Sequence, residues 1–480
     1  MAAVSKSTDS VAISGEGGLD ALEASAEKLN ESIDSQVRKQ EKILSVLDSS
    51  FNVFEDSSAA DLVHSSPNSG ERFQRWFRYR EGFSPELIDR AVRQLDIETV
   101  SILDPFSGAG STLVAAHQAG IPSIGFEVNP IVSIVARAKT HNYSTADIES
   151  IRRVLRQVQM AAPGQPMAKR PALGILDKVF RTDVLNALLT IRQIIDEVPA
   201  GNVNDFLMTG WLSTLEGVSN VFKEGNGIKY RNRKRTSNGY TTIPWEQVPG
   251  FEIEGWGLVK SRLASQFHAM LEDVEPDVQL ASPVVHEVSS VTGIDGVKDQ
   301  SISLAIFSPP YCNNFNYMKI FKVELWMSGL VETYADVRAI GERALRSHVE
   351  MPIVVPEART LPSELYALVE QIDPTKLWNS KIPKTIFAYF LDMRELLAGV
   401  YRTLSDGGEC HIVIGNSAYG GVVIPTDVLL AKIAVELGFG VDRVAVARHL
   451  TTSSQQRRAM EPLVGYLRES IVVLKKERNA

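Results

Sequence analysis

The segment over residues 100–120 constrains the fold most. Its first four residues are Val-Ser-Ile-Leu and predict a short buried strand, and residues 113–119 predict a helix that Gly120 ends. Gly108 and Gly110 stand between them and allow a tight turn that a ligand can approach closely. A strand, a glycine-rich turn and a helix in this order open a doubly wound α/β sheet. We therefore expect a nucleotide-like ligand at the carboxyl end of the first strand.

The chemistry of this turn excludes two familiar phosphate sites. Its glycine spacing differs from that of the dinucleotide fingerprint, and no Gly-Lys-Ser/Thr follows it. Asp104 precedes the turn and would repel a phosphate, but it suits a ligand that carries an ammonium group. A second predicted strand, residues 123–126, ends at Glu127, whose carboxylate can accept hydrogen bonds from both ribose hydroxyls.

A second informative segment lies about two hundred residues downstream. An apolar run over residues 302–307 predicts a buried strand, and Pro309 and Pro310 cannot continue it. The resulting turn places the Ser308 hydroxyl, free carbonyls and the Tyr311 ring at a strand end. Such a group can hold a planar base that bears an exocyclic amino group.

Residues 104–112, 127–130 and 308–311 together resemble motifs of the amino-directed DNA methyltransferases. That family uses S-adenosylmethionine to methylate cytosine-N4 or adenine-N6, and Ser-Pro-Pro-Tyr is typical of its cytosine-N4 members. The resemblance spans roughly residues 72–142 and 282–476. It implies an α/β fold with a seven-stranded Rossmann-like methyltransferase sheet whose last strand is antiparallel.

The resemblance also implies roles for individual residues. Catalytic roles fall on Ser308, Pro309, Pro310 and Tyr311. Cofactor-binding roles fall on Phe83, Asp104, Phe106, Ser107, Gly108, Gly110, Ser111, Thr112, Glu127, Val128 and Asn129. Relatives often carry an acid after the third strand that contacts the cofactor adenine, and Glu287 stands near that position here.

The expected reaction is direct in-line transfer of a methyl group to the amino nitrogen of a flipped base, most simply cytosine-N4. Three alternatives stay open: adenine-N6 methylation of DNA, guanine-N2 methylation of RNA, and a non-catalytic nucleic-acid-binding subunit. The cofactor motif precedes the catalytic motif, an order opposite to that of many cytosine-N4 enzymes. Cytosine-C5 methylation would need a cysteine nucleophile, which in the enzymes of that class follows a proline. It is disfavoured here because neither Cys312 nor Cys410 stands in a Pro-Cys pair.

The chain divides into five predicted regions: a disordered tail (1–18), a helical or coiled-coil extension with a linker (19–70), a first methyltransferase segment (71–142), a helical insertion (143–281) and a second methyltransferase segment (282–480). A heptad pattern over residues 19–47 suits either a homodimer contact or a single helix packed on the main domain. The insertion is a candidate for target recognition.

Charge is unevenly distributed. The net charge is -8, yet residues 1–60 hold 11 acidic and 5 basic residues and so account for -6 of it. Local basic clusters neutralise phosphates irrespective of the total. Besides the arginines of residues 72–80, we predict nucleic-acid contacts, with duplex DNA as partner, for Arg231, Arg233, Lys234, Arg235, Gln455, Gln456, Arg457 and Arg458.

The remaining composition sets broad limits. Two cysteines provide neither a disulfide framework nor a zinc cluster, and no metal site is predicted. No apolar run approaches the length of a membrane span and no signal peptide is evident, so a cytoplasmic location is expected, with a restriction or defence partner possible. His348 stands alone in sequence and is expected at the surface.

Overall fold

The computed structural model describes residues 35–64, 70–95, 100–164, 169–225, 227–237, 239–356, 359–450 and 461–478. Its centre is one eight-stranded sheet. The strands of this sheet are β1 (Val53–Glu55), β2 (Ile102–Asp104), β3 (Ser123–Phe126), β8 (Val284–His286), β9 (Ile302–Phe307), β10 (Leu404–Gly415), β13 (Gly440–His449) and β14 (Arg468–Lys475).

The strand order is β1-β13-β14-β10-β9-β2-β3-β8. Strand β14 runs antiparallel to both β10 and β13, and every other pairing in the sheet is parallel. The predicted Rossmann-like α/β sheet with an antiparallel last strand is therefore confirmed. The predicted count of seven strands is wrong by one, because Val53–Glu55 pairs with Val444–Val446 at the edge where the sequence indicated a linker.

Helices cover both faces of the sheet, which suits its mostly parallel strands. The helices of the main domain are α1 (residues 35–49), α2 (Pro85–Gln94), α3 (Ser111–Gln118), α4 (Pro130–Thr140), α10 (Tyr317–Ile320), α11 (Lys322–Met327), α12 (Tyr334–Glu342), α13 (Ser363–Val369), α14 (Ile382–Thr403) and α15 (Thr426–Glu436). Alternate residues of β9 serve the two faces: Leu304 and Ile306 pack with α2 and α3, while Ala305 and Phe307 pack with α14 and α15.

The insertion forms a helical layer on α4. Its helices are α5 (Thr145–Met160), α6 (Leu176–Val179), α7 (Thr182–Asp196), α8 (Asn202–Gly217) and α9 (Gly255–Asp273). A helical insertion was expected, but this one also carries two β-hairpins, β4–β5 (Val221–Glu224 and Gly227–Tyr230) and β6–β7 (Arg233–Thr236 and Gly239–Thr242). A third short hairpin, β11–β12 (Ser417–Tyr419 and Val422–Ile424), follows β10.

Local capping explains where the helices nearest the cleft begin. The Ser84 hydroxyl accepts a hydrogen bond from the Glu86 amide at the start of α2. The Asn129 side chain accepts one from the Ile131 amide at the start of α4, with Pro130 as its first residue. Both caps fix the loops that lead into the cleft.

Helix α1 packs on the main domain through Leu44 and Leu47, which are almost fully buried. Arg468 of β14 forms an ion pair with Asp48 of this helix at 2.7 Å. Residues 19–34, most of the predicted dimer contact, lie outside the described residues, so the homodimer stays a prediction. Within the described ranges, no helix is long and apolar enough to cross a membrane.

Candidate active site

One large cleft opens at the carboxyl ends of β2, β3 and β9, and it encloses about 1020 Å3 including its open mouth. In a parallel sheet these strand ends meet on one side, where ligands of such folds bind. The cleft brings together residues that the sequence marked separately as cofactor-binding and catalytic. Those that line it are Phe83, Asp104, Phe106, Ser107, Ser111, Thr112, Glu127, Val128, Asn129, Ser308 and Pro310.

Asp104 ends β2 and is 2 % exposed. Its Oδ1 accepts a hydrogen bond from the Phe106 amide at 3.0 Å, which orients the carboxyl group. Burial raises the pKa of Asp104 to about 7. A buried carboxylate that borders an open cleft is well placed to pair with a cationic ligand group.

The turn after Asp104 lies close to its neighbours. Gly108 has φ +49°, and a Cβ there would lie 2.7 Å from the Tyr79 ring. Gly110 has φ +85° and caps α3, where a Cβ would lie 3.1 Å from that of Ala136. Neither glycine lines the cleft, and both act by allowing the turn that shapes it.

Glu127 follows β3 on the other side of the turn. Its Oε1 accepts a hydrogen bond from the Asn129 amide at 2.7 Å. Burial raises the pKa of Glu127 to about 7, and the nearby Asp104 carboxyl adds to that rise. The Asn129 side chain is used as the cap of α4, so this residue presents mainly its backbone to a ligand.

The Ser-Pro-Pro-Tyr turn follows β9 directly. Ser308 and Pro310 line the cleft, whereas Pro309 is buried and Tyr311 stands just behind the lining. The Tyr311 hydroxyl donates to Glu469 Oε1 at 2.5 Å, and the Arg448 Nε donates to Glu469 Oε2 at 2.5 Å. The Tyr311 ring also lies against Gly415, where a Cβ would come within 2.8 Å of it. Two contacts therefore fix this ring from behind.

Both cysteines are buried. Burial raises the pKa of Cys312 and of Cys410 well above the usual thiol value. Neither residue lines the cleft. These thiols are thus poor nucleophiles, which agrees with the expectation that no covalent cysteine intermediate forms.

Several residues that the sequence did not assign also line the cleft: Tyr79, Glu81, Ser289, Ser290, Asn316, Tyr317 and His348. Tyr79 stacks on Phe321 with ring centroids 6.1 Å apart, and the aromatic spacing of residues 73–79 was its only signal in the sequence. Glu287 points elsewhere, since it pairs with Arg137. Ser290, three residues later, does line the cleft. Its hydroxyl donates to the Pro105 carbonyl at 2.7 Å and so holds this side of the cleft in position.

The surface position expected for His348 is wrong, because this residue is 8 % exposed and lines the cleft. Asn314, three residues after the Ser-Pro-Pro-Tyr turn, binds the segment on either side of His348. Its amide nitrogen donates to the Ser347 carbonyl at 3.2 Å, and its Oδ1 accepts from the Val349 amide at 3.0 Å. A loop contact between residues more than thirty positions apart leaves no periodic pattern in the sequence.

The predicted nucleic-acid residues divide into groups. Arg233, Lys234 and Arg235 are exposed on the β6–β7 hairpin, whereas Arg231 donates to the carbonyls of Ser219 and Glu216 and so has a structural role. Arg72 and Arg75 donate hydrogen bonds to Asp273 of α9, which makes them structural as well. Gln455, Gln456, Arg457 and Arg458 lie outside the described residues.

The cleft fits the cofactor that the resemblance implies. Two carboxyl groups stand at its adjoining strand ends, one suited to a cation and one to paired hydroxyls. Ser107, from the turn between them, lines the cleft. Apolar walls from Phe83, Phe106 and Val291 can cover an adenosyl group.

Comparison with known proteins agrees with this geometry. The family described as DNA methylase matches residues 22–136. The chain is 25 % identical over 450 residues to the Type II methyltransferase M.BsoBI of Geobacillus stearothermophilus, with 86 % of this chain and 88 % of the relative covered. These similarities support an amino-directed DNA methyltransferase. S-adenosylmethionine is its methyl donor.

Other relatives of this methyltransferase are similar at greater distance. It is 24 % identical over 409 residues to the Type II methyltransferase M.AvaI of Nostoc sp., covering 82 % of this chain and 84 % of that one. Among solved structures, a geranyl diphosphate methyltransferase in complex with GPP and sinefungin matches at a TM-score of 0.29 and 6 % identity, over 89 % of this chain and 88 % of the other.

Proposed function

We propose that this methyltransferase transfers a methyl group from S-adenosylmethionine to cytosine-N4 in duplex DNA, on a base flipped out of the helix. The observation that carries the proposal is that Ser308 and Pro310 line the same cleft as Asp104 and Glu127. One cleft thus offers a place for the cofactor and, beside it, acceptors for an amino group. The serine of the motif, typical of cytosine-N4 enzymes in the family, favours cytosine.

The chemistry explains why such acceptors are needed. The amino nitrogen of cytosine is a weak nucleophile because its lone pair is delocalised into the ring. Acceptors on both amino hydrogens favour tetrahedral geometry at nitrogen and so stabilise the transition state more than the ground state. The Ser308 hydroxyl and the Pro309 carbonyl would serve as these acceptors.

The proposal assigns stacking on the flipped base to the ring of Tyr311, which adjoins the residues that line the cleft. Stacking on an aromatic side chain offsets part of the cost of unstacking a base from the duplex. Because Glu469 and Gly415 hold Tyr311 from behind, its ring loses little freedom when a base arrives. The proposal also includes a recognition site in duplex DNA, a cytoplasmic location and a restriction partner.

Methyl transfer from tritiated S-adenosylmethionine, followed by nucleoside analysis of the DNA, tests the proposal. We expect N4-methylcytosine as the product. Ser308→Ala and Tyr311→Ala should each reduce transfer at least 100-fold, because each removes a group that acts on the target amino group or base. Cys312→Ala is the matched control in the same loop and should retain transfer.

Each other outcome identifies an alternative. N6-methyladenine as the sole product would replace cytosine by adenine within the same family. Transfer to RNA guanine in preference to duplex DNA would contradict the substrate. Modification that survives both Ser308→Ala and Tyr311→Ala would show that this cleft is not catalytic.

A further inference from the structure

The β6–β7 hairpin is the most basic exposed element that the structure describes. Every described residue of its two strands is exposed, and residues 233–242 contain three basic residues and no acidic one. The register pairs Arg233 with Thr242, and Arg235 with Tyr240. Directly paired residues share a face, so these four side chains form one face of the ribbon, while Lys234 and Thr241 lie on the other.

The side chains of the first face are partly ordered. The Arg233 guanidinium lies over the Tyr240 ring, 4.2 Å from its centroid. Tyr240 is 62 % exposed, so its ring is accessible from outside. This face therefore presents two planar guanidinium groups and one aromatic ring, arranged to meet a ligand.

The base of the hairpin is fixed. Asn220 is 2 % exposed, and its side chain exchanges two hydrogen bonds with Asn232: its Nδ2 donates to Asn232 Oδ1 at 2.9 Å, and its Oδ1 accepts from the Asn232 amide at 3.0 Å. The Ile243 amide donates to the Asn232 carbonyl at 2.9 Å, which closes the two ends of the hairpin on each other. The ribbon therefore projects from a rigid point.

A second cavity adjoins the active-site cleft. Its walls include Arg78, Arg80 and Lys223, the last of these in the neighbouring β4–β5 hairpin. Glu81 and Phe321 line both this cavity and the active-site cleft. Glu81, Glu216 and Glu224 also line this cavity, so its charges balance, and no described residue of the β6–β7 hairpin reaches it.

We propose that the β6–β7 hairpin enters the major groove of duplex DNA and selects the recognition sequence through Arg233, Arg235 and Tyr240, while Lys234 contacts phosphate. The proposal rests on the proposed function, which makes duplex DNA the substrate. A two-stranded ribbon fits the width of the major groove, and an arginine fork matches the O6 and N7 acceptors of guanine. Lysine is a point charge without that planar geometry.

The full-length protein and its variants test this division of roles. Long-read sequencing of DNA from cells that express the wild type first gives the methylated sequence. Initial methylation rates are then measured on duplexes with that sequence and with each single-base change. Arg235→Ala should reduce discrimination at one or two positions about 10- to 100-fold. Tyr240→Ala should reduce discrimination as well, because it removes the support of Arg233.

Two further variants separate base reading from charge. Lys234→Ala, one residue from Arg235 on the opposite face, should weaken binding equally on all duplexes and lower the salt slope by about 1. Arg235→Lys keeps the charge but not the fork, so it should lose discrimination while the salt slope stays near that of the wild type. Unchanged melting temperature and cofactor binding would show that each variant is folded.

The possible failures are distinguishable. Wild-type protein that methylates no DNA contradicts the proposed function. Wild-type protein that methylates a defined sequence, with the same discrimination in Arg235→Ala and Tyr240→Ala, overturns the role of the hairpin alone. The role of the hairpin is also overturned if Arg235→Ala behaves as Lys234→Ala does, with a uniform loss and a reduced salt slope.

Discussion

The position of the Tyr311 side chain is fixed by residues that do not line the cleft. Its hydroxyl donates to Glu469, which also accepts from Arg448, and both Tyr311 and Glu469 are at least half-buried. A hydrogen bond to a charged group typically contributes about 1.5–3 kcal/mol. The geometry of the Ser-Pro-Pro-Tyr turn thus depends on an interaction outside the cleft.

Tyr311→Phe should separate this placement from stacking. We expect a loss of stability of about 1.5–3 kcal/mol in urea unfolding, because one hydrogen bond to a carboxylate is removed. Methyl transfer should fall less than in Tyr311→Ala, since the ring remains. Equal losses of transfer in the two variants would contradict the positioning role of the hydroxyl.

Lys139 of α4 is a buried lysine whose protonation should affect the stability of the protein. The residue is 1 % exposed, and burial lowers its pKa to about 7. Between about pH 7 and its ordinary value of 10.5, the unfolded chain binds a proton that the folded chain does not, so this group makes the protein more stable as pH rises.

Lys139→Met should therefore be more stable than the wild type at pH 7, and the difference should shrink by pH 9. Urea unfolding at the two pH values measures both quantities. Lys178→Met, an exposed lysine of α6, is the control and should change neither. A variant that is less stable than the wild type at pH 7 would show that the ammonium group of Lys139 is favourably bound.

Among the elements, α1 is tied to the sheet by a buried charge cluster. Arg468 of β14 is 4 % exposed and donates to Asp48 of α1 and to Asp427 of α15, at 2.7 and 2.8 Å. The Asp427 side chain also accepts from the Ser470 hydroxyl at 2.9 Å. One arginine thus links three elements that are far apart in the sequence.

Arg468→Leu should cost about 3–5 kcal/mol, because it leaves the buried Asp427 carboxylate without its cation. Adding Asp427→Asn to this variant should restore part of the loss. Chemical denaturation of the two variants and of the wild type measures both effects. A single variant that loses less than 1 kcal/mol would contradict this account of the cluster.

Elements differed in how well the sequence predicted them. Strand β9 and helix α3 carry long apolar runs with clear end signals, and the structure has both near the expected bounds. Strand β1 is only three residues long, and its pairing with β13 depends on tertiary contacts. The β6–β7 strands are exposed throughout and have no buried face, so they leave no alternating pattern.

For the molecule as a whole, the sequence predicted which strand ends meet. It did not predict which loops complete the cleft at those strand ends. Asp104, Glu127 and Ser308 follow predicted parallel strands, and topology alone brings them to one edge. The segment with Ser347 and His348 reaches that edge through hydrogen bonds to Asn314, and such irregular loop contacts have no counterpart in local propensity.

The two cleft carboxyl groups should make overall stability depend on pH and on the cofactor. Burial raises the pKa of both Asp104 and Glu127 to about 7. Stability from these groups is fully present below about pH 4 and is lost as pH rises through 7, because the folded protein then holds charges that burial disfavours. S-adenosylmethionine should offset this loss by pairing with the ionised forms.

We therefore expect S-adenosylmethionine to raise the melting temperature more at pH 8 than at pH 6. The Asp104→Asn, Glu127→Gln double variant should lose this difference, and its stability without cofactor should fall less between pH 5 and pH 8. Thermal unfolding of both proteins at each pH, with and without cofactor, gives these values. A cofactor shift in the wild type that is equal at both pH values would contradict the assignment of these two carboxyl groups.

The hydrogen bond that joins Ile243 to Asn232 has a consequence for how such proteins diversify. Chain enters and leaves the β6–β7 hairpin at nearly one point, so its length and side chains can change while the helices below stay in place. A lineage could exchange this hairpin as a unit and acquire a new target sequence without altering its chemistry. Grafting the corresponding segment between relatives would be a short route to enzymes with chosen methylation patterns.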